Sequence, residues 1–285
     1  MRRSRTRDLA GIVVESVTAW FDHNASSQGA ALAFYTIFSV APILIIAVAI
    51  AGYFFGAATA QTELLSQLRA LTGDAGATAI RELLASAHYS DKKGIAAAIG
   101  IVTLVVGATS VFGELQNALN RIWQAPPQPR SAGWWRFVRA RVLSVGMVLG
   151  VGFLLLVSLL ASAALAAFGG WLGASLPQLE IVLPMADLLV SFGMTVVLFA
   201  LIYRYVPSES IPWGDVWIGA TVTALLFTIG KYLIGVYLGK SSFNSAYGAA
   251  GSLIVLLLWV YYSGQIFLLG AEFTRVFAYQ YGSRS

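Results

Sequence analysis

Along most of this chain the apolar residues neither alternate nor recur on one helical face; they run on. Six stretches are apolar almost without a break: Ala30–Phe55, Gly94–Phe112, Val142–Phe168, Met185–Tyr203, Val216–Leu238 and Ala249–Ala271. Each is close to or above the about 20 residues a helix needs to cross about 30 Å of hydrocarbon. Backbone N–H and C=O groups left unpaired in lipid are costly, so such runs predict helices. The ten-residue polar–apolar alternation of a membrane β-barrel is absent from the sequence. The pattern therefore predicts an all-α, polytopic membrane protein, a bundle of about six transmembrane helices with a short external helical segment.

Two pieces fall outside the spans. In residues 8–23, Leu9, Ile12, Val13, Val17, Trp20 and Phe21 share a helical face, with Asp8, Glu15 and Asp22 elsewhere. That periodicity predicts a helix lying in the membrane interface behind a basic tail, or one packed on the bundle. Residues 57–93 read as two short helices. Leu64, Leu65, Leu68 and Leu71 stand on one, Ile80, Leu83 and Leu84 on the next, with a break at Gly73-Asp74. Four bases and four acids balance there, as in a small external cap. The expected organisation is a cytoplasmic basic tail and interfacial helix (1–28), a six-helix membrane domain (29–275, with 57–93 an external helical hairpin) and a short cytoplasmic tail (276–285).

Composition agrees with the pattern. Only 11% of the residues are charged and 58% are hydrophobic, with a mean hydropathy of +0.76; soluble domains carry about 25% charged residues. Charge placement then sets orientation. With the N-terminus inside, the cytoplasmic segments hold Arg2, Arg3, Arg5, Arg7, Arg121, Arg130, Arg136, Arg139, Arg141, Arg204, Arg275 and Arg284. The external ones hold only Arg69, Arg81, Lys92, Lys93 and Lys240. This asymmetry predicts both termini in the cytoplasm. Trp123, Trp134, Trp135, Trp213 and Trp217 collect near the same inner interface, as amphipathic rings do. The early arginines resemble the start of a signal peptide, but the following apolar run begins too late and is too long, so no cleavage is expected. The chain has no Cys and two His, His23 and His88. Disulfides, thiol chemistry and Cys/His zinc sites are thereby excluded.

Candidate chemistry lies where polar groups interrupt the spans. A charge in mid-membrane costs about 2.5–3.5 kcal/mol on insertion scales and so marks function or a specific partner. Lys231 stands seven residues before Leu238, about 10 Å from that helix end at 1.5 Å per residue. Asp187, near the outer start of the preceding antiparallel span, reaches a similar depth. Lys231 is thus expected either to face a cavity and contact an anionic substrate or Asp187, or to be a snorkelling structural lysine. In the last span Tyr262 and Gln265 share a face and are expected to line a polar path or to bond a neighbouring helix. Glu114, Arg204, Glu272 and Arg275 gather at inner helix ends, as a charge network that acts as a gate or, more simply, a clasp. Gly52–Gly56, Gly146–Gly150 and Gly235–Gly239 each form GxxxG, which permits close helix approach, and Pro42 is a place for a kink. No phosphate-binding glycine loop, nucleophile motif or metal cluster appears. No catalytic residue, metal or cofactor is expected.

Several spans carry wording of a known kind. Ala30-Ala31-Leu32-Ala33-Phe34-Tyr35 is followed by Pro42; Ala118-Leu119-Asn120-Arg121-Ile122-Trp123 ends the second span. Tyr203-Arg204-Tyr205-Val206-Pro207, Gly219-Ala220, Gly230-Lys231, Tyr247-Gly248, Trp259-Val260-Tyr261 and Leu268-Leu269-Gly270-Ala271-Glu272 follow in order. Over roughly residues 25–275 the chain resembles the YihY/BrkB family of bacterial inner-membrane proteins, also labelled ribonuclease BN-like or UPF0761-type. The resemblance implies a multi-pass protein of the bacterial inner membrane with a role in envelope biogenesis or transport. The residues argue against the ribonuclease label. A metal-dependent nuclease needs clustered His and carboxylates, and this topology puts His23 and His88 on opposite sides of the membrane. Five Arg in the Asn120–Arg141 loop mark topology and contact to anionic lipid rather than nucleic acid. The favoured reading is a transporter or flippase of a lipid or other envelope component, and not an enzyme. The alternative is a non-transporting scaffold in envelope biogenesis, with an envelope protein or a second copy as its partner.

Overall fold

A computed structural model of the protein describes residues 5–88, 110–126, 179–240 and 251–284. Every regular element among them is helical. In chain order these are α1 (Arg5–Asp22), α2 (Ala25–Phe55), α3 (Ala57–His88), α4 (residues 110–122), α5 (Leu179–Tyr205), α6 (Trp213–Lys240) and α7 (Gly251–Gln280). The predicted span Val142–Phe168, most of Gly94–Phe112 and the arginine loop beyond residue 126 lie outside the described residues. Three helical stretches among the described residues are long and apolar enough to cross a membrane: Leu188–Tyr205, Trp213–Leu238 and Leu253–Gln280.

Local chemistry explains the element boundaries. Asn24 takes the left-handed conformation (φ 55°) that a short polar side chain tolerates, turning the chain from α1 into α2. Gly56 alone separates α2 from α3. Its φ of 87° with ψ 139° belongs to a region open essentially to glycine, and its N–H donates to the Gly52 carbonyl at 2.9 Å. Pro207 and Pro212 bracket the turn between α5 and α6, because the residue before a proline is pushed out of helical conformation. The Pro212 carbonyl then accepts the Val216 N–H at 3.1 Å and opens α6.

The chain forms two compact units. One comprises Met1–Ser16, Leu119–Leu226 and Gly270–Ser285; the other Val17–Ala118 and Phe227–Leu269. In the second unit Leu44, Ile80 and Leu256 form a buried cluster with Ile37, Leu64, Leu65, Leu68 and Val260 against it. This cluster accounts for one departure from expectation. α3 runs unbroken through Gly73-Asp74, where two short helices were predicted. Leu64, Leu65 and Leu68 before that point and Ile80 after it join the same core, and their burial outweighs the about 1 kcal/mol a helical glycine costs.

The amphipathic helix α1 also divides differently from its sequence pattern. Ile12, Ser16 and Ala19 are buried, whereas Val13, Val14, Val17 and Phe21 are exposed, Phe21 at 67%. Part of the predicted apolar face thus packs on protein and part is left uncovered. Exposed apolar residues recur along α6 at Leu225, Ile229, Tyr232, Leu233, Val236 and Tyr237. Their spacing of three to four residues draws one apolar stripe on the surface, the face a lipid-bathed helix presents. Near its N-terminus Trp213 and Trp217 stack with centroids 6.0 Å apart, and Tyr205 meets Trp213 edge-on at 6.2 Å.

Candidate functional site

Buried polar residues concentrate at the ends of α5, α6 and α7 in the first unit. α6 carries Gly219 and Thr223, α7 carries Gly270 and Thr274, each pair one helical turn apart. A Cβ added to Gly219 would lie 1.9 Å from Thr274 Oγ1, and one added to Gly270 would lie 2.0 Å from Thr223 Oγ1. Each glycine is therefore the socket for the other helix's threonine. The threonine hydroxyls donate back to their own helices, Thr223 to the Gly219 carbonyl and Thr274 to the Gly270 carbonyl, both at 2.7 Å. With its proton so used, Thr223 Oγ1 accepts the Tyr203 hydroxyl from α5 at 3.0 Å. Tyr203, Thr223 and Thr274 are all buried.

Charges surround this clasp. Glu272 is fully buried and accepts from Arg275 Nε at 3.2 Å. Arg204, expected to join them, instead donates to the Ile211 carbonyl and lies over Trp213, its guanidinium carbon 5.9 Å from the ring centroid. It closes the α5–α6 turn, where the carbonyl before Pro212 needs a donor. Glu114, the fourth member of the predicted network, is half-buried in α4 of the other unit. The structure thus brings together Glu272 and Arg275 and gives Arg204 a different task.

Sequence reasoning missed the tie between this turn and the chain's last residues. Asp215, in the first turn of α6, accepts the Ser283 hydroxyl at 2.6 Å and its N–H at 3.3 Å. Arg284 Nη2 pairs with Glu209 at 3.1 Å, and its guanidinium lies 5.4 Å from the Trp123 centroid. The Tyr279 hydroxyl, followed by the Glu209 carboxylate, holds the Arg284 pKa above its ordinary value against the opposing effect of burial. Asn120 reads the same turn, accepting the Ser208 N–H at 2.8 Å and donating to its hydroxyl at 3.0 Å.

The second unit holds the midspan candidates Lys231, Tyr262 and Gln265, while Asp187 belongs to the first. Lys231 is half-buried in α6 and has no hydrogen-bond or ion-pair partner among the described residues. Asp187 lies in α5, but its side chain is outside the described residues. Tyr262 and Gln265 part company. A Cβ on Gly230 would meet the Tyr262 ring and hydroxyl at 3.1 and 3.2 Å, so Tyr262 packs on α6 beside Lys231. Gln265 crosses to α2, its Nε2 donating to the Ser26 carbonyl at 3.3 Å and lying against Gly29. Close approach is seen at Gly29, Gly219, Gly230 and Gly270, none of which belongs to a GxxxG pair. Gly235 faces open space and Gly56 is the turn between helices, while Gly146 and Gly150 lie outside the described residues. Among the described residues of this unit, four buried polar atoms have no partner: Trp20 Nε1, Gln28 Oε1, Trp259 Nε1 and Gln265 Oε1. No group of His, Asp or Glu suited to a metal ion occurs among the described residues.

The family model described as "Virulence factor BrkB" matches residues 17–285. A UPF0761 membrane protein of Ralstonia nicotianae is 30% identical over 250 residues, covering 84% of this chain and 52% of that protein. One from Pseudomonas aeruginosa is 28% identical over 253 residues, 87% of this chain and 58% of the relative. A third, from Mannheimia succiniciproducens, is 27% identical over 268 residues and is covered over 86% of its length. The chain therefore spans little more than half the length of the first two relatives. No solved structure matches it.

Proposed function

The chain belongs to the virulence factor BrkB family, and on that premise we propose that it moves a lipid or other amphipathic envelope component across the bacterial inner membrane. The observation that carries this reading is Lys231. A lysine in the interior of a membrane-length helix, half-buried and without a counter-charge among the described residues, is an expensive feature for a purely structural protein. A transient anionic group, such as a lipid phosphate, would compensate it. The unsatisfied amide oxygen of Gln265 and the neighbouring Tyr262 give that helix bundle further polar character. The fold behind this reading is a bundle of about six spans with both termini cytoplasmic and the arginine loop on anionic lipid. It uses no catalytic residue and no nucleic acid.

Purified protein in liposomes, assayed for movement of labelled phospholipid between leaflets, tests the reading. Lys231→Met should insert and purify normally yet lose lipid movement; undiminished movement in that variant would overturn the role given to Lys231. Because the chain has no Cys, single cysteines at Ser4 and Ser90 report topology directly. Ser4→Cys should be labelled only from the cytoplasmic side, Ser90→Cys only from outside.

One observation favours a scaffold instead: α6 and α7 interlock through the Gly–Thr sockets with a buried Glu272–Arg275 pair, an arrangement built for rigidity. Liposomes in which wild-type protein moves no lipid, while cells still require the gene, would favour that reading.

A further inference from the structure

Two glutamines, Gln28 buried and Gln265 half-buried, hang on the turn between α1 and α2. Gln28, 6% exposed, donates through Nε2 to the His23 carbonyl at 2.6 Å, satisfying a carbonyl orphaned at the end of α1. Gln265 donates through Nε2 to the Ser26 carbonyl, three residues further on. The helices also run close here, since a Cβ on Gly264 would stand in van der Waals contact with Gly29 Cα at 3.6 Å. The two carbonyl acceptors fix which end of each amide is nitrogen. Both amide oxygens are therefore aimed away from those bonds, and both are buried and unpartnered among the described residues.

An orphaned buried acceptor costs about 1–3 kcal/mol. Capping His23 explains the nitrogen of Gln28 but not its oxygen, and one long bond at 3.3 Å from its nitrogen does not offset the burial of the Gln265 oxygen. Groups that are neutral and accept only call for a ligand that donates. Two uncharged oxygens do not replace the hydration shell of a bare metal cation, which takes six or more ligands and a counter-charge. A hydroxyl, or an amine tethered to a phosphate that stays near water, fits without that penalty.

Resting on the transport reading above, we propose that Gln28 and Gln265 receive the O–H or N–H donors of a phospholipid headgroup, so that ethanolamine and glycerol headgroups are favoured over choline. Choline's quaternary nitrogen has no N–H to give.

The test uses full-length protein in liposomes carrying trace acyl-labelled phosphatidylethanolamine, phosphatidylglycerol or phosphatidylcholine, read by dithionite quenching. The first two should cross about fivefold faster than the third, the ratio one neutral hydrogen bond confers. Gln28→Met and Gln265→Met should each erase that ratio; since Gln28 also caps α1, Gln265→Met serves if the other variant does not fold. Equal rates for all three lipids overturn the headgroup inference and leave transport standing. Movement of none overturns transport, and thermal stabilisation of the detergent-solubilised protein then decides: a greater effect of phosphatidylethanolamine than of phosphatidylcholine supports the site, equal effects overturn it. Stabilisation by free ethanolamine or glycerol as great as by the lipids would reassign the site to a soluble solute and overturn the lipid assignment.

Discussion

Replacing Gly270 with alanine puts a methyl group where Thr223 already is. The new Cβ would lie 2.0 Å from Thr223 Oγ1 and 2.8 Å from both its Cβ and Cγ2, so the threonine must turn or the helices must part. Turning Thr223 breaks its bond to the Gly219 carbonyl and the Tyr203 bond it accepts, about 1 kcal/mol each. Forced repacking adds about 1–3 kcal/mol, and the better helix propensity of alanine returns about 1 kcal/mol. The net loss is about 2–4 kcal/mol, read as a lower unfolding midpoint of the purified protein in detergent. Gly235→Ala, in α6 rather than α7 and facing open space, supplies the control and should be neutral or stabilising by up to about 1 kcal/mol. Thr223→Gly empties the contested space, so in the Gly270→Ala background it should cost less than it does alone, with a coupling of about 1–2 kcal/mol. If Gly270→Ala proves as benign as Gly235→Ala, or if the two substitutions simply add, the socket description is wrong.

Further expectations concern the ends of the same helices. Asn120→Ala removes the acceptor of the Ser208 N–H and should raise hydrogen exchange at Ser208 by roughly fivefold, the equivalent of about 1 kcal/mol; unchanged protection would show the bond to be unimportant in solution. Glu272→Ala breaks a buried pair and should destabilise by about 3 kcal/mol. Part of the loss from Glu272→Arg should be recovered by Arg275→Glu and none by Arg204→Glu; rescue through Arg204 would contradict the pairing described. Arg284→Gln should cost about 1 kcal/mol or less, since the pair with Glu209 is partly exposed. Because the Arg284 pKa is raised, its contribution is fully present below the ordinary arginine value and is lost only as pH rises beyond it. The difference between wild type and Arg284→Gln should therefore stay flat between about pH 6 and 9; a slope in that window would assign the effect to another group.

Membrane-length helices were legible in the sequence because lipid leaves the backbone so few choices, and the family wording from Ala30-Ala31-Leu32-Ala33-Phe34-Tyr35 to Glu272 is matched over residues 17–285. Helix ends and partners were less so. Gly73-Asp74 reads locally as a break, and only the shared core of Leu64, Leu65, Leu68 and Ile80 shows why the helix continues. Arg204 reads as an ion-pair partner by charge and depth, yet the carbonyl of Ile211, freed by Pro212, claims it. The working glycines were hidden because GxxxG is frequent in a chain with 28 glycines. A search for glycine four residues before threonine on adjacent helices would have found Gly219–Thr223 and Gly270–Thr274. Gln28 carried no signal in sequence, since its importance lies in which atom of its amide is left over.

The single residue between α2 and α3 has a mechanical meaning. α3 is 32 residues long, about 48 Å at 1.5 Å per residue, and its direction relative to α2 is set by the two torsions of Gly56. Rotating one of them by about 10° would sweep the far end of α3 through about 8 Å, judged from that length alone. Such leverage makes the Leu44–Ile80–Leu256 cluster a brace as well as a core: it holds the long arm at its set angle. A bulkier residue at position 56 would act at a distance, with its largest displacement tens of ångströms from the substituted atom.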